Sequence, residues 1–306
     1  MNASHQPLPT TIPDYLAQLR QALAGADPAL VQDALYDAEE YLRSELAEHP
    51  EQTEAEVIAA VAGSYGAPEE VAGIYRDTEA KVQTALRAPP PPRHESAIGR
   101  FFGVAADPRT YGAMFYSLLA LATGIFYFTW VVAGIAMSLG FSMIIIGVPF
   151  VILFLGSVRL LSLVEGRIVE TMLGERMPRR PLYADRDRPV LERIKEVFVD
   201  PRTWSTLVYM LAMLPLGILY FTLAVCLLAT SLGLVVAPLL IGFGALDGWS
   251  LSGGFFGYWE PATTLGAWEL PIAFACGVVL LFATLHLLRG IGKVHGAIAK
   301  QLLVKA

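Results

Sequence analysis

The side chains in this chain that could act as nucleophiles, metal ligands or acid–base catalysts are few and scattered. Its five histidines, His5, His49, His94, His286 and His295, show no metal-ligand spacing and no HExxH pattern, and no serine sits in a GxSxG turn. Cys226 and Cys276 both fall in long apolar stretches, which predicts free thiols packed in a core rather than a disulfide or zinc pair. His94-Glu95 has the opening of a phospho-acceptor box, but HESAIGR lacks the proline that follows and the chain has no glycine-rich nucleotide site. No catalytic, metal-binding or cofactor-binding residue is therefore expected, and the chain does not read as an enzyme. What remains is recognition. Asp247, Trp249, Phe255, Phe256, Tyr258, Trp259, Glu260 and Trp268 crowd together with Glu269 in a segment without a single base. Aromatic rings settle at the headgroup level of a bilayer and carboxylates attract cations, so this segment is a candidate for sensing lipid state or a cationic amphiphile. The plainer reading of the same residues is an ordinary aromatic belt.

The elements that hold these residues are set by composition. With 55% hydrophobic and 16% charged residues and a mean hydropathy of +0.51, this much apolar surface has nowhere to hide in water. Ala113 to Met137 is free of charge and would make a helix of roughly 37 Å against a hydrocarbon core of about 30 Å. Phe141 to Val158, Ser205 to Thr230 and Leu270 to Leu288 are similar, giving four expected spans. Leu234 to Leu246 holds Pro238, Gly242 and Gly244 and is too short to cross alone, so it reads as a re-entrant or interfacial half-helix.

Two of the spans are copies. DPRTYGAMFYSLLALATGIFYFTWVVAGIAMSLG from Asp107 and DPRTWSTLVYMLAMLPLGILYFTLAVCLLATSLG from Asp200 agree at half of their positions at an offset of 93. The tails realign at VEGRIVETML from Val164 and VHGAIAKQLL from Val294, after an insertion in the second copy. One hairpin module has been duplicated. From residue 88 onward all 17 Lys and Arg lie at one end of the spans and none lies in Ser231–Glu269. The positive-inside rule then places both termini in the cytoplasm, turns the 244–269 insertion outward and runs the copies in the same direction about a pseudo-two-fold axis along the membrane normal. Asp107 and Asp200 are expected N-caps with Pro108 and Pro201 in the first turn, and Arg109 and Arg202 can reach lipid phosphates. Ile98–Val104 and Leu191–Val197 read as helices lying in the interface. Arg159 and His286 read as interface anchors at equivalent positions of the two copies. Ion-coupled carriers need ionisable groups near the bilayer centre, and the four apolar stretches have none, which weighs against transport.

The first 87 residues are different in kind, with 15 acids against 5 bases, whereas residues 88–306 have 13 acids against 17 bases. Apolar periodicity predicts four short amphipathic helices: one carrying Ile12, Leu16, Leu19 and Leu23; one capped by Asp27-Pro28; one opened by a Thr53/Glu56 capping box; and one opened by Pro68. The fold class expected is all-α: a small acidic cytoplasmic bundle (1–87), a Pro-rich linker (88–95) that holds it off the membrane, a first membrane hairpin (96–180) and a second (181–306).

YLAQLRQAL, DAEEYLRSEL and YGAPEEVA, between Tyr15 and Ile74, resemble the HAAS-type signalling domain, a helical cytoplasmic module of bacterial membrane proteins. DPRTW, LPLGILYFTLAV and SLGL, within Asp107 to the C-terminus, resemble a bacterial sensor membrane domain often joined to histidine kinases. These resemblances imply signal reception and relay, with no catalytic residues to carry over; in related arrangements the HAAS-type module works with cytoplasmic regulators of the PadR kind. The expected function is a non-catalytic sensor of the bacterial inner membrane, with an accessory subunit of a transporter as the alternative. Expected partners are the lipid bilayer, a cytoplasmic regulator or kinase, and a second copy of the chain, without nucleic-acid binding. Asp107, Arg109, Asp200, Arg202, Arg159 and His286 are the candidate relay residues.

Overall fold

A computed structural model describes residues 9–86, 96–141, 147–180, 198–243 and 268–304. Every regular element among them is helical. The acidic segment folds as α1 (Ile12–Ala22), α2 (Pro28–Glu48), α3 (Glu54–Ser64) and α4 (Pro68–Leu86). The starts are those that the sequence dictates. Asp27 caps α2 by accepting from the Ala29 N–H at 2.9 Å, and Thr53 and Glu56 close a reciprocal capping box on α3. Tyr15, Leu19, Leu23, Ala34, Ala38, Leu42, Val57, Ile58 and Val71 form the core, and the Tyr15 hydroxyl donates to the Gly66 carbonyl at 2.8 Å. Tyr15, three residues after Ile12 and four before Leu19, lies on the same face of α1 as the apolar stripe.

After α5 (Ala97–Phe102) and a 3-10 turn (Gly103–Ala106) come four long helices: α6 (Pro108–Phe141), α7 (Gly147–Leu173), α8 (Pro201–Gly242) and α9 (Glu269–Leu303). All four are long and apolar enough to cross a membrane. Large apolar side chains such as Phe115, Leu153, Leu219 and Val279 stand exposed on them, as lipid contact requires. The expectation for Leu234 to Leu246 is corrected through Gly242. That part is no separate half-helix but the continuation of α8, which runs unbroken for 42 residues with Pro215 and Pro238 inside it. At 1.5 Å per residue it is roughly 63 Å long, about twice the hydrocarbon thickness.

The chain divides into two compact units, one of Met1–Pro89, Thr129–Leu211 and Gly296–Ala306, the other of Pro90–Phe128 and Ala212–His295. In the first, the bundle is joined by the C-terminal part of α6, by α7, by the first turns of α8 and by the last turns of α9. In the second, α6 and α8 cross at a reciprocal contact. A Cβ on Gly124 would strike the Met213 carbonyl, and one on Gly217 would strike that of Ala120. Both pairs are related by the offset of 93, so the duplication is repeated in the packing. A Cβ on Gly277 would lie 2.8 Å from Leu234, so the distal part of α8 packs closely on α9.

Candidate functional site

The densest polar cluster lies where α2 meets the segment that leaves α7. Gly174, with φ +75°, ends α7, and its N–H still reaches the Glu170 carbonyl at 3.2 Å. Residues 175–180 then run without helix and bend at Arg179 and Arg180, because Pro178 fixes its own φ and disfavours helix in Met177 before it. Asp33, only 5% exposed, receives this segment. Its Oδ1 accepts from the successive N–H groups of Arg179 (2.7 Å) and Arg180 (2.9 Å), and its Oδ2 accepts from the Arg176 guanidinium at 3.1 Å. Arg176 also pairs with Glu79 of α4. Arg180 pairs with Asp37 at 3.1 Å and lies over the Tyr36 ring, while the Tyr75 hydroxyl donates to the other oxygen of Asp37 at 2.8 Å. Burial pushes the Asp33 carboxyl above its ordinary pKa, against the two N–H bonds and Arg176, and pushes the Arg176 guanidinium below its own, against Asp33. Desolvation thus opposes both charges, and a buried pair of this kind contributes little net free energy even when well bonded. Such a contact holds geometry while remaining reversible.

Two further points grip the same helix. Buried Gln32 donates to the Arg180 carbonyl at 2.8 Å and accepts from Arg202 in the first turn of α8 at 3.0 Å. Asp27, besides capping α2, pairs with Lys300 near the end of α9 at 2.5 Å. The expected spacing of the bundle from the membrane domain is therefore corrected. The Pro-rich run lies outside the described residues, but α2 is docked on basic groups carried by α7, α8 and α9. Arg202, read from sequence as a lipid anchor, binds Gln32 instead, while its counterpart Arg109 is exposed. Arg202 and Arg159 line a cavity of about 50 Å³ with Ser162, Thr203 and Thr206, space for a water molecule or two between like charges.

The DPRT elements act as expected and do more. Asp107 and Asp200 cap α6 and α8, accepting from the N–H of Arg109 (3.0 Å) and Arg202 (3.1 Å). The rings at the next position reach back six residues, with Tyr111 donating to Ala105 (2.8 Å) and Trp204 to Phe198 (2.9 Å). The second oxygen of each cap takes an arginine from the other copy. Arg159 pairs with Asp200 at 3.3 Å in one unit, and Arg289 with Asp107 at 2.6 Å in the other. Six residues on, Glu165 accepts from Tyr209 at 2.9 Å, and His295 is hydrogen-bonded to Tyr116 at 2.5 Å. Arg159 is thus the counterpart of Arg289, not of His286 as the sequence reading had it. The alignment of the tails at Val164 and Val294 already contained this pairing. His286 serves otherwise: its Nε2 donates to the Phe101 carbonyl at 3.0 Å and its ring stacks on Phe101, fastening α5.

Of the aromatic candidates, Trp268 stands 69% exposed beside the start of α9, and Asp247, Trp249, Phe255, Phe256, Tyr258, Trp259 and Glu260 lie outside the described residues. So does Leu191–Val197, whereas Ile98 and its neighbours form α5. Cys226 and Cys276 are free thiols, but exposed on their helices rather than packed in a core. Sequence reasoning missed Asp33, Gln32, Arg176, Arg180, Lys300, Glu165 and His295. A second stripe on α2, formed by Ala29, Asp33, Tyr36 and Asp37, was the signal available for the first of these.

The molecule is thus a membrane protein of four long apolar helices, in contact with the bilayer, carrying a helical bundle in its N-terminal part. Residues 116–303 match the family described as "Putative sensor", and residues 14–73 match the family described as HAAS. The chain belongs to the first of these, which covers more than half of its length. Neither is an enzyme family, and together they give the protein a sensory or regulatory role. No curated protein and no solved structure matched the chain.

Proposed function

We propose that this protein is a non-catalytic signal relay of the bacterial inner membrane, with both termini in the cytoplasm, that passes an envelope or membrane signal to a cytoplasmic regulator or kinase through its acidic bundle. The observation that carries this reading is the three-point grip on α2: Arg176 and Arg180 follow α7, Arg202 opens α8 and Lys300 closes α9. A shift of one long helix against another changes the spacing of these cations, and α2 cannot satisfy all of them in a second arrangement. The bundle is then released or re-seated, and its exposure to a partner changes. The outward aromatic and acidic insertion is the input side of this relay.

Exchange of charge across one grip tests the reading. In the full chain in lipid nanodiscs, with Cys226 and Cys276 replaced, spin labels at Ser64 and Thr171 should report one well-defined distance. Asp27→Lys and Lys300→Asp should each lengthen it and alter signal output, and the two together should restore both. Single variants that leave distance and output as in the native chain would refute the relay.

A further inference from the structure

The α2/α4 face of the bundle holds a non-helical segment of the chain itself, Arg176 to Arg180. Three features set it apart from a general attraction of acids to bases. Asp33 reads main chain as well as charge, because one of its oxygens takes two successive N–H groups and the other takes a guanidinium. Gln32 adds a main-chain contact by donating to the carbonyl of Arg180. The side chains read stand four residues apart: Arg176 reaches Asp33 and Glu79, and Arg180 reaches Asp37 and the face of Tyr36. Pro178, between them, removes an N–H that the site does not use and stiffens the segment, which lowers the entropy lost on binding. Met177 is not read by the bundle. A Cβ on Gly166 would lie 3.3 Å from Met177 Cβ, so this side chain is turned onto α7.

We infer that the bundle recognises a non-helical Arg-x-Pro-x-Arg segment of a partner protein, and that Arg176, Pro178 and Arg180 occupy the site in cis until they are displaced. This rests on the relay reading for its use but not for its existence. The partner is defined by chemistry: a basic, proline-stiffened segment with free N–H groups after the proline.

The probe is a fluorescein-labelled peptide of residues 174–180, GERMPRR, added to the full chain in nanodiscs and followed by anisotropy. The native chain should bind it weakly, since the site is filled. R176A/R180A, which weakens the internal occupant, should bind it at least tenfold more tightly, and adding D33N to that variant should remove the gain. A scrambled peptide of the same charge should bind at least tenfold more weakly than the native order. Hydrogen exchange over α1–α4 checks that each variant keeps the bundle folded. No gain in R176A/R180A with a protected bundle, or equal binding of the scrambled peptide, would overturn the site. Capture by the opened variant combined with a fixed Ser64–Thr171 distance in the charge-exchange series would overturn the relay and leave the site standing.

Discussion

Tyr15 and Tyr75 show what single buried hydroxyls do for the bundle. Tyr15 is fully buried, and burial raises its pKa; Tyr75 is raised by burial and by the Asp37 carboxylate to which it donates. In the unfolded chain both ionise near pH 10. A folded-state pKa above that value contributes stability that is complete below pH 10 and is lost as the pH rises beyond it. Each tyrosine so held contributes a slope of up to about 1.4 kcal/mol per pH unit in that range. The bundle should therefore lose its circular-dichroism signal steeply above pH 10, and Tyr75→Phe should make that loss shallower. Asp33 is the contrasting residue. Its carboxyl is buried without serving the bundle's own core, and its bonds all go to a segment about 145 residues away in sequence.

Among the elements, the crossing of α6 and α8 is set by Gly124 and Gly217, each facing a carbonyl of the opposite copy. Any side chain there pushes the helices apart, since backbone cannot yield as a flexible side chain does. Gly124→Leu should cost roughly 1–3 kcal/mol, read as a lower melting temperature in detergent, whereas Gly140→Ala, with open space around it, should change little. The elements themselves were legible from the sequence because strong local signals agreed. The caps at Asp27, Thr53, Asp107 and Asp200, the apolar runs and the duplicated DPRT all pointed to the helices that form. Leu234 was misjudged because Pro238 reads as a break, yet in a long apolar helix packed on α9 a proline is tolerated. The cross-copy latches were half legible. Asp107 and Asp200 stood out as caps, but their arginine partners come from the tail helices, whose register follows an offset of 130 rather than 93. The docking face of α2 left only the faint stripe of Ala29, Asp33, Tyr36 and Asp37, since Asp33 and Asp37 on an acidic helix look like a solvated face until the segment after α7 is placed against them.

At the scale of the molecule, the charge division seen in composition becomes a contact, with carboxylates of the bundle seated on cations carried by the ends of the long helices. Its grips range from the well-buried Asp33–Arg176 pair to the half-exposed Arg180–Asp37 pair, so salt should weaken them unevenly. Raising KCl from 50 mM to 500 mM should add a population of long Ser64–Thr171 distances without unfolding the bundle, because the core of α1–α4 is apolar. A distance distribution indifferent to salt would mean that shape complementarity alone holds the docked state. Gly174 gives this arrangement its mechanical character. The residue that stops α7 is also the pivot of the strap across α2, so a twist of α7 about its own axis swings the Arg176 and Arg180 side chains sideways like fingers on a turning wrist. On the proposed relay, a membrane rod that rotates without rising or sinking would unfasten what it holds.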